Sequence, residues 1–389
     1  MNNAETISLI EVDEFISVRR DIHKHPELAF EEHRTAALVA EKLKLWGYEV
    51  HEGIGGTGVV GVLKNGKGEM SIGLRADMDA LPIKEQTGAQ WASCNHGVMH
   101  ACGHDGHTAM LLAAAKELAK TRNFSGTLNL IFQPAEEGAG GALRMMADGL
   151  FERFPCDAIF AIHNMPGYPV GHFVFCDGPT MSSSDYATIE INGVGGHGGM
   201  PHKALDPIVA ASSIVMALQT IISRNVDPQK SAVVTVGAFN SGHANNVIPA
   251  HAKLELSVRA LDPQVRIDLE KRIKALVLSQ AESFGLTALV DWRPGYSVLV
   301  NSHAETEFAR NVAADYFGET EITRHGPALS GSEDFAFMLE KVPGCYLFIG
   351  NGDTPGSCMV HNPAYDFNDE NIAIGATFWR ELVNQYLKV

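Results

Sequence analysis

The sequence predicts an α/β fold: a central, mostly parallel sheet flanked by helices, with a ferredoxin-like α+β domain inserted. Two observations carry this. Short apolar runs alternate with helical stretches toward both ends of the chain, the pattern of a parallel sheet with crossover helices. The middle instead reads β-α-β-β-α-β, the ferredoxin-like order. A third observation points to where chemistry sits: polar clusters recur just after strands, the edge at which open α/β sheets bind ligands.

The elements follow in order. Residues 7–25 place Leu9, Val12, Ile16 and Ile22 near one helical face, and Pro26 ends the run. A second helix is predicted over 32–46, stopped by Gly47. Runs 58–63 and 70–74 read as strands, the latter leading into Arg75-Ala76-Asp77. The Ala- and Leu-rich stretch 108–120 is predicted helical. Strands over 127–132 and 158–162 run into Gln-Pro-Ala-Glu-Glu and His-Asn-Met-Pro. The small residues of 178–184 (GPTMSSS) read as a linker. Beyond them come strand 186–191, helix 207–223, strands 232–239 and 253–259, helix 263–284 and strand 287–292, closed by Pro294-Gly295. A strand over 345–349 and a helix within 368–387 complete the chain. The expected division is therefore 1–183 and 295–389 for the larger domain and 184–294 for the insertion.

Composition narrows the function. Hydrophobic residues at 45% and charged residues at 20% are ordinary for a globular chain. A net charge of −16 and the lack of a basic stripe exclude a nucleic-acid partner, which needs clustered Lys and Arg. The opening MNNAETISLIEVDEF has neither a basic leader nor a long apolar run. No stretch approaches the ~20 apolar residues of a bilayer span. The six cysteines lack framework spacing and are expected to be thiols. The expectation is a cytoplasmic protein without a membrane partner.

MHACGHDGHTAML (99–111) gathers histidines around Cys102 just before a helix. Cys102 and His104 precede that helix, Glu136 and Glu137 follow one strand, His163 follows another, and His361 precedes the last helix. Coordination-capable residues at the strand ends of one sheet mark a metal or catalytic site. Paired Cys or His ligands of a closed structural zinc site are missing from this pattern. A mixed Cys, His and Glu set suits Zn²⁺, with Mn²⁺, Co²⁺ or Ni²⁺ as alternatives, and a thiolate can bridge two ions. Of two adjacent carboxylates, one can ligate while the other takes a proton from metal-activated water.

The stretches GLRADMDALP (73–82), MHACGHDGHTAML, FQPAEEGAGGA (132–142), HNMPGYPVG (163–171), GGHGGMPHKALDPI (195–208), NVIP (246–249), GSEDFAF (331–337) and MVHNPAYDFND (359–369) are similar to the M20 metallopeptidases. More narrowly they resemble the amidohydrolase branch, which includes hippurate hydrolases, N-acyl-amino-acid amidohydrolases and auxin-conjugate hydrolases. The resemblance implies a metal-binding catalytic domain carrying an inserted lid domain. It implies Cys102, His104, Glu137, His163 and His361 as ligands to two divalent ions per subunit, with Cys102 bridging and Glu136 as general base. Asp77 corresponds to a carboxylate that orients a ligating histidine. Arg75 stands where the wider family has a histidine ligand, and His104 replaces it. In the lid, the resemblance gives His197 the carbonyl oxygen or substrate carboxylate, often across a subunit boundary, and Asn246 the same oxyanion. Arg259 suits a substrate carboxylate, with a structural ion pair as the alternative. Asp105 is expected to support the site and His107 to hydrogen-bond locally. A homodimer or homotetramer formed through the lid is implied as well.

The function expected is hydrolysis of the amide bond of small N-acyl amino acids. The alternatives are a metal-dependent dipeptidase, a cysteine-nucleophile amidase built on Cys102, and a non-catalytic metal-binding protein.

Overall fold

The computed structural model describes residues 10–354 and 357–388, so positions 7–9 of the first predicted helix lie outside the described residues. The described helix, α1, spans Asp13–Lys24, and α2 spans His33–Leu45. The chain divides into two compact units: 1–178 with 300–327 and 334–389, and 179–299 with 328–333. The segment 328–333 therefore groups with the insertion, although it lies far along the chain from 184–294.

The first unit is built on an eight-stranded sheet. Strands β1 (Glu49–Ile54), β2 (Gly58–Asn65), β3 (Ser71–Asp77), β4 (Gly126–Gln133) and β5 (Ala158–Met165) lie in the order β1-β2-β4-β3-β5, followed by Gly344–Gly350, Phe173–Val174 and Ile322–Thr323. β4, β3, β5 and Gly344–Gly350 run parallel, while β1 and β2 join antiparallel at one edge. The parallel centre is buried on both faces, so β3 and Gly344–Gly350 are buried at every position, as sheets covered on both sides require. The helix α3 (His104–Thr121) packs against the last helix, Glu370–Tyr386. Gly375 permits that approach, since a Cβ there would stand 2.3 Å from the Met110 sulfur.

Because neighbouring strands share a direction, the ends of β3, β4 and β5 open onto one edge. β3 ends at Asp77, β4 at Gln133 just before Glu136-Glu137, and β5 carries His163 near its end. α3 begins at His104, four residues before the sequence-predicted start. Gly103, at φ +91, supplies the turn into it, which puts His104 and His107 in the first helical turns.

The second unit holds a four-stranded antiparallel sheet in the order Ala232–Ser241, His251–Ala260, Asp185–Asn192, Thr287–Pro294. Helices Pro207–Asn225 and Pro263–Ser283 complete the β-α-β-β-α-β order. Each opens on an Asp-Pro pair: Asp206 accepts from the Ile208 amide, and Asp262 from those of Gln264 and Val265. The predicted linker is not loose. Gly178–Met181 form a short strand, and the buried Ser182 donates its hydroxyl to the Ser330 carbonyl. Pro207–Asn225 is also long and apolar enough to cross a membrane, by length and composition alone. Its buried face, Ala210, Ala211, Ile214, Leu218 and Ile221, belongs to the core of the second unit.

Candidate metal centre

The structure brings five of the expected ligands and Glu136 to the edge of the large sheet. Donor atoms of Cys102, His104 and His163 lie within 4.8 Å of one another, as do those of Cys102, Glu137 and His361, and those of His104, Glu136 and Glu137. Cys102, His104 and Glu137 each belong to two of these groups. Cys102 Sγ is 3.3 Å from His163 Nε2, and His361 Nε2 is 3.2 Å from Glu137 Oε1. Cys102, His104, Glu136 and His163 are buried, whereas the His361 side chain is 52% exposed. His361 adopts φ +67 and is tied down by its amide, which donates to the Ala101 carbonyl at 2.7 Å.

Hydrogen bonds set which imidazole nitrogen faces the cluster. His104 Nδ1 donates to Asp79 Oδ1 at 3.2 Å, and His163 Nδ1 donates to the Asn164 carbonyl at 2.6 Å. Both rings thus turn Nε2 inward, the usual arrangement of ligating histidines held from behind. Buried away from water, His104 Nε2 and Glu137 Oε1 make no hydrogen bond among the described residues, although the His361 ring lies near Glu137. Buried polar atoms without a hydrogen bond are unfavourable unless something satisfies them, and a divalent cation, taking the place of the imidazole proton, does so for a nitrogen and a carboxylate together. The residues present fit a divalent metal.

Without a cation, burial and the carboxylates dominate the electrostatics of Cys102 and His104. Burial, with the Glu137, Glu136 and Asp77 charges, pushes the Cys102 thiol well above its ordinary range. Burial, with His107 next, pulls His163 well below its own. Burial also opposes charging of His104, but Asp77 and Asp79 outweigh it and raise this imidazole to about 10.

Asp77 accepts from His107 Nδ1 at 2.6 Å and from Arg75 Nη1 at 2.6 Å, and lies 3.7 Å from His104 Nε2. The hydrogen bond that orients His104 comes instead from Asp79, two residues further on. Asp79 Oδ2 also accepts the Glu137 amide at 2.9 Å, so one carboxylate holds two of the expected ligands. Arg75 Nε donates to Gln133 Oε1 at 2.8 Å, which places its guanidinium behind the site. His107 Nε2 accepts the Asn164 amide at 3.0 Å, and Tyr365 donates to Asn164 Oδ1 at 2.5 Å. Asn164 Nδ2 in turn holds the Cys102 carbonyl at 2.6 Å. Sequence reasoning missed Asp79, Asn164 and Tyr365 as supports. Their signal was present, since each lies inside or beside a quoted motif.

The remaining expected residues lie in the second unit. His197 and Val247 are paired in a two-stranded ladder, and the Gly198 amide donates to the Asn246 carbonyl, so His197 and Asn246 are neighbours. His197 Nδ1 accepts the Gly199 amide at 2.9 Å, which leaves its proton on Nε2. Both side chains are exposed. Arg259 Nη1 donates to Ser332 Oγ at 3.1 Å, and no carboxylate pairs with Arg259 among the described residues.

A parallel sheet whose open edge gathers a thiol, imidazoles and two adjacent carboxylates forms a candidate metal centre of an α/β enzyme. Residues 73–385 match the model of peptidase family M20/M25/M40, and the chain belongs to that family. It is 49% identical over 375 residues to hippurate hydrolase of Campylobacter jejuni, covering 96% of this chain and 97% of the relative. It is 39% identical over 379 residues to N-acetyl-L-cysteine deacetylase of Bacillus subtilis, covering 97% and 89%. Among solved structures, the Bacillus subtilis YXEP protein, described as a dinuclear metal binding peptidase from the M20 family, aligns with a TM-score of 0.84 at 33% identity, covering 96% of this chain and 98% of that one. The chain is a hydrolytic enzyme of the amidohydrolase kind.

Proposed function

We propose that this enzyme hydrolyses the amide bond of N-acyl amino acids, hippurate among them, with two divalent ions held by Cys102, His104, Glu137, His163 and His361. The observation that carries the proposal is the convergence of these donors beside Glu136, with His104 Nε2 and Glu137 Oε1 buried and without a hydrogen bond among the described residues. When bound, such ions polarise the scissile carbonyl and acidify a water molecule. Cys102, whose thiol lies beside His104 and His163 on one side and Glu137 and His361 on the other, would serve as a ligand to both ions. Glu136 takes the water's proton as the C–O bond forms and passes it to the amine as the C–N bond breaks. His197, with its proton on Nε2, and Asn246 are donors for the developing oxyanion. Arg259, which has no carboxylate partner among the described residues, pairs with the substrate carboxylate.

The Cys102–His163 contact also invites a nucleophilic cysteine. That reading needs a thiolate, and burial together with nearby carboxylates disfavours one here in the absence of a cation. The donor set suits Zn²⁺, Mn²⁺, Co²⁺ or Ni²⁺. A homodimer is supported by the second unit, where the edge strand Ala232–Ser241 exposes Val233 and Phe239, and helix Pro207–Asn225 exposes Val209 and Met216. Six free cysteines support a reducing, cytoplasmic setting.

The test is hydrolysis of hippurate and other N-acyl amino acids by metal-loaded and chelator-stripped protein. Activity that disappears on stripping and returns with one of these metals is expected. Full activity after complete metal removal, lost in Cys102→Ser, would establish the cysteine route instead.

A further inference from the structure

We propose that Glu32, at the start of α2, is a positioning residue that fixes the backbone turn presenting Glu136. The inference rests on the assignment of Glu136 as the base. Glu32 is fully buried, yet its side chain makes no cap bond to its own helix, the role usual at that place. It reaches across the fold instead. Its Oε1 accepts the Ala135 amide at 2.8 Å, and its Oε2 accepts the Thr57 hydroxyl. A buried carboxylate is unfavourable without such donors, so its presence calls for a purpose at the residues it holds.

Ala135 is the residue before Glu136, and it adopts φ +54. A non-glycine residue in this left-handed region is strained, and it persists only where surrounding contacts enforce it. The Glu32 bond lies directly on that strained peptide. The same loop is gripped at two further points: Asp79 Oδ2 holds the Glu137 amide, and Asp334 holds the Gln133 side chain at 2.7 Å and the Ala142 amide at 2.9 Å. Three buried carboxylates from distant parts of the chain thus clamp 133–142. Asp79 also contacts an expected ligand and Asp334 closes the loop's ends. Glu32 alone of the three holds the turn immediately before the base.

Glutamine at 32 keeps an acceptor within reach of the Ala135 amide. Aspartate keeps the charge but falls one methylene short. Glycine at 135 adopts φ +54 without strain and so needs no clamp. Metal-loaded Glu32→Gln, Glu32→Asp, Glu32→Asp/Ala135→Gly and Glu136→Gln are compared for kcat, KM, bound Co²⁺ and hydrogen exchange of peptides covering 133–142. Glu32→Asp is expected to lower kcat by about 10- to 100-fold with KM and Co²⁺ content unchanged, as small misplacements of a reacting group do. Its exchange in the loop should quicken. Glu32→Gln should stay within about threefold of wild type, a difference of under 1 kcal/mol, and Ala135→Gly should restore part of the Glu32→Asp loss.

Unchanged kcat in Glu32→Asp, or a loss that Ala135→Gly does not relieve, overturns the positioning role while leaving Glu136 as base. Full activity in Glu136→Gln overturns the base assignment itself and the positioning role with it. If Glu32→Asp does not fold, two measurements still decide. Fast exchange of 135–142 in the wild type, or a tenfold or greater loss of kcat in folded, metal-loaded Glu32→Gln, overturns the proposal.

Discussion

Asp79→Asn separates a carboxylate that holds two ligands from one that merely fills space. Asp79 is 1% exposed, and its two oxygens face two donors, His104 Nδ1–H at 3.2 Å and the Glu137 amide at 2.9 Å. An asparagine has nearly the same volume but offers one acceptor and one donor, so in either orientation one of these N–H groups meets an NH₂. A hydrogen bond to a charged group contributes about 1.5–3 kcal/mol. If the His104 bond is lost, the ring is free to take the other tautomer, which places a proton on the nitrogen that faces the metal. Outer partners of metal ligands typically contribute 10- to 100-fold in affinity. That range is about 1.4–2.7 kcal/mol, the size of the single lost bond. Competition titration of stripped protein with Zn²⁺ and a chromophoric chelator measures it. A dissociation constant within about twofold of wild type, or about 0.4 kcal/mol, would refute the two-ligand clamp.

Gly103→Ala should destabilise the fold by at least about 2 kcal/mol in urea unfolding, because Gly103 has φ +91 and a Cβ there would stand 2.3 Å from Asn164 Nδ2 and 2.5 Å from Tyr365 Oη; a change below about 0.5 kcal/mol would contradict that packing. His23 bonds Asp105 at 2.9 Å, and although burial opposes its charge, Asp105 and Glu85 raise it to about 10. Its folded value thus exceeds the unfolded one of about 6.5, so its stabilisation is complete below that pH and fades as pH rises through about 10. The gap in unfolding free energy between wild type and His23→Gln should therefore narrow from pH 6.5 to 10, and a constant gap would refute the charged pair. Met216→Glu, on the exposed apolar face of Pro207–Asn225, should lower the weight-average sedimentation coefficient if that face joins two copies. An unchanged value removes the face from the interface.

Much of this centre was legible in the chain because its donors sit at strand ends and helix starts, where local pattern is strong. Glu136-Glu137 after β4 and Cys102-x-His104 at the start of α3 are such places. The supports were harder to read. Glu32 acts on Ala135 from 103 residues away, and no periodicity links the two. Asp79 lies in a quoted motif, but which carboxylate holds His104 depends on how the chain leaves β3. The start of α3 was placed late because propensity favours 108–120, while the real start depends on the left-handed turn at Gly103. Helices His303–Phe317 and Gly141–Ala147 also went unread.

The central claim is that Glu136 moves the proton while its neighbours hold the metal. The most direct measurement is kcat of Glu136→Gln on the best N-acyl amino acid, with metal content determined on the same sample. The account predicts a fall of about 10²- to 10⁴-fold with the metal content of the wild type, the range of a lost general base. A kcat within about tenfold of wild type at full metal content would contradict it.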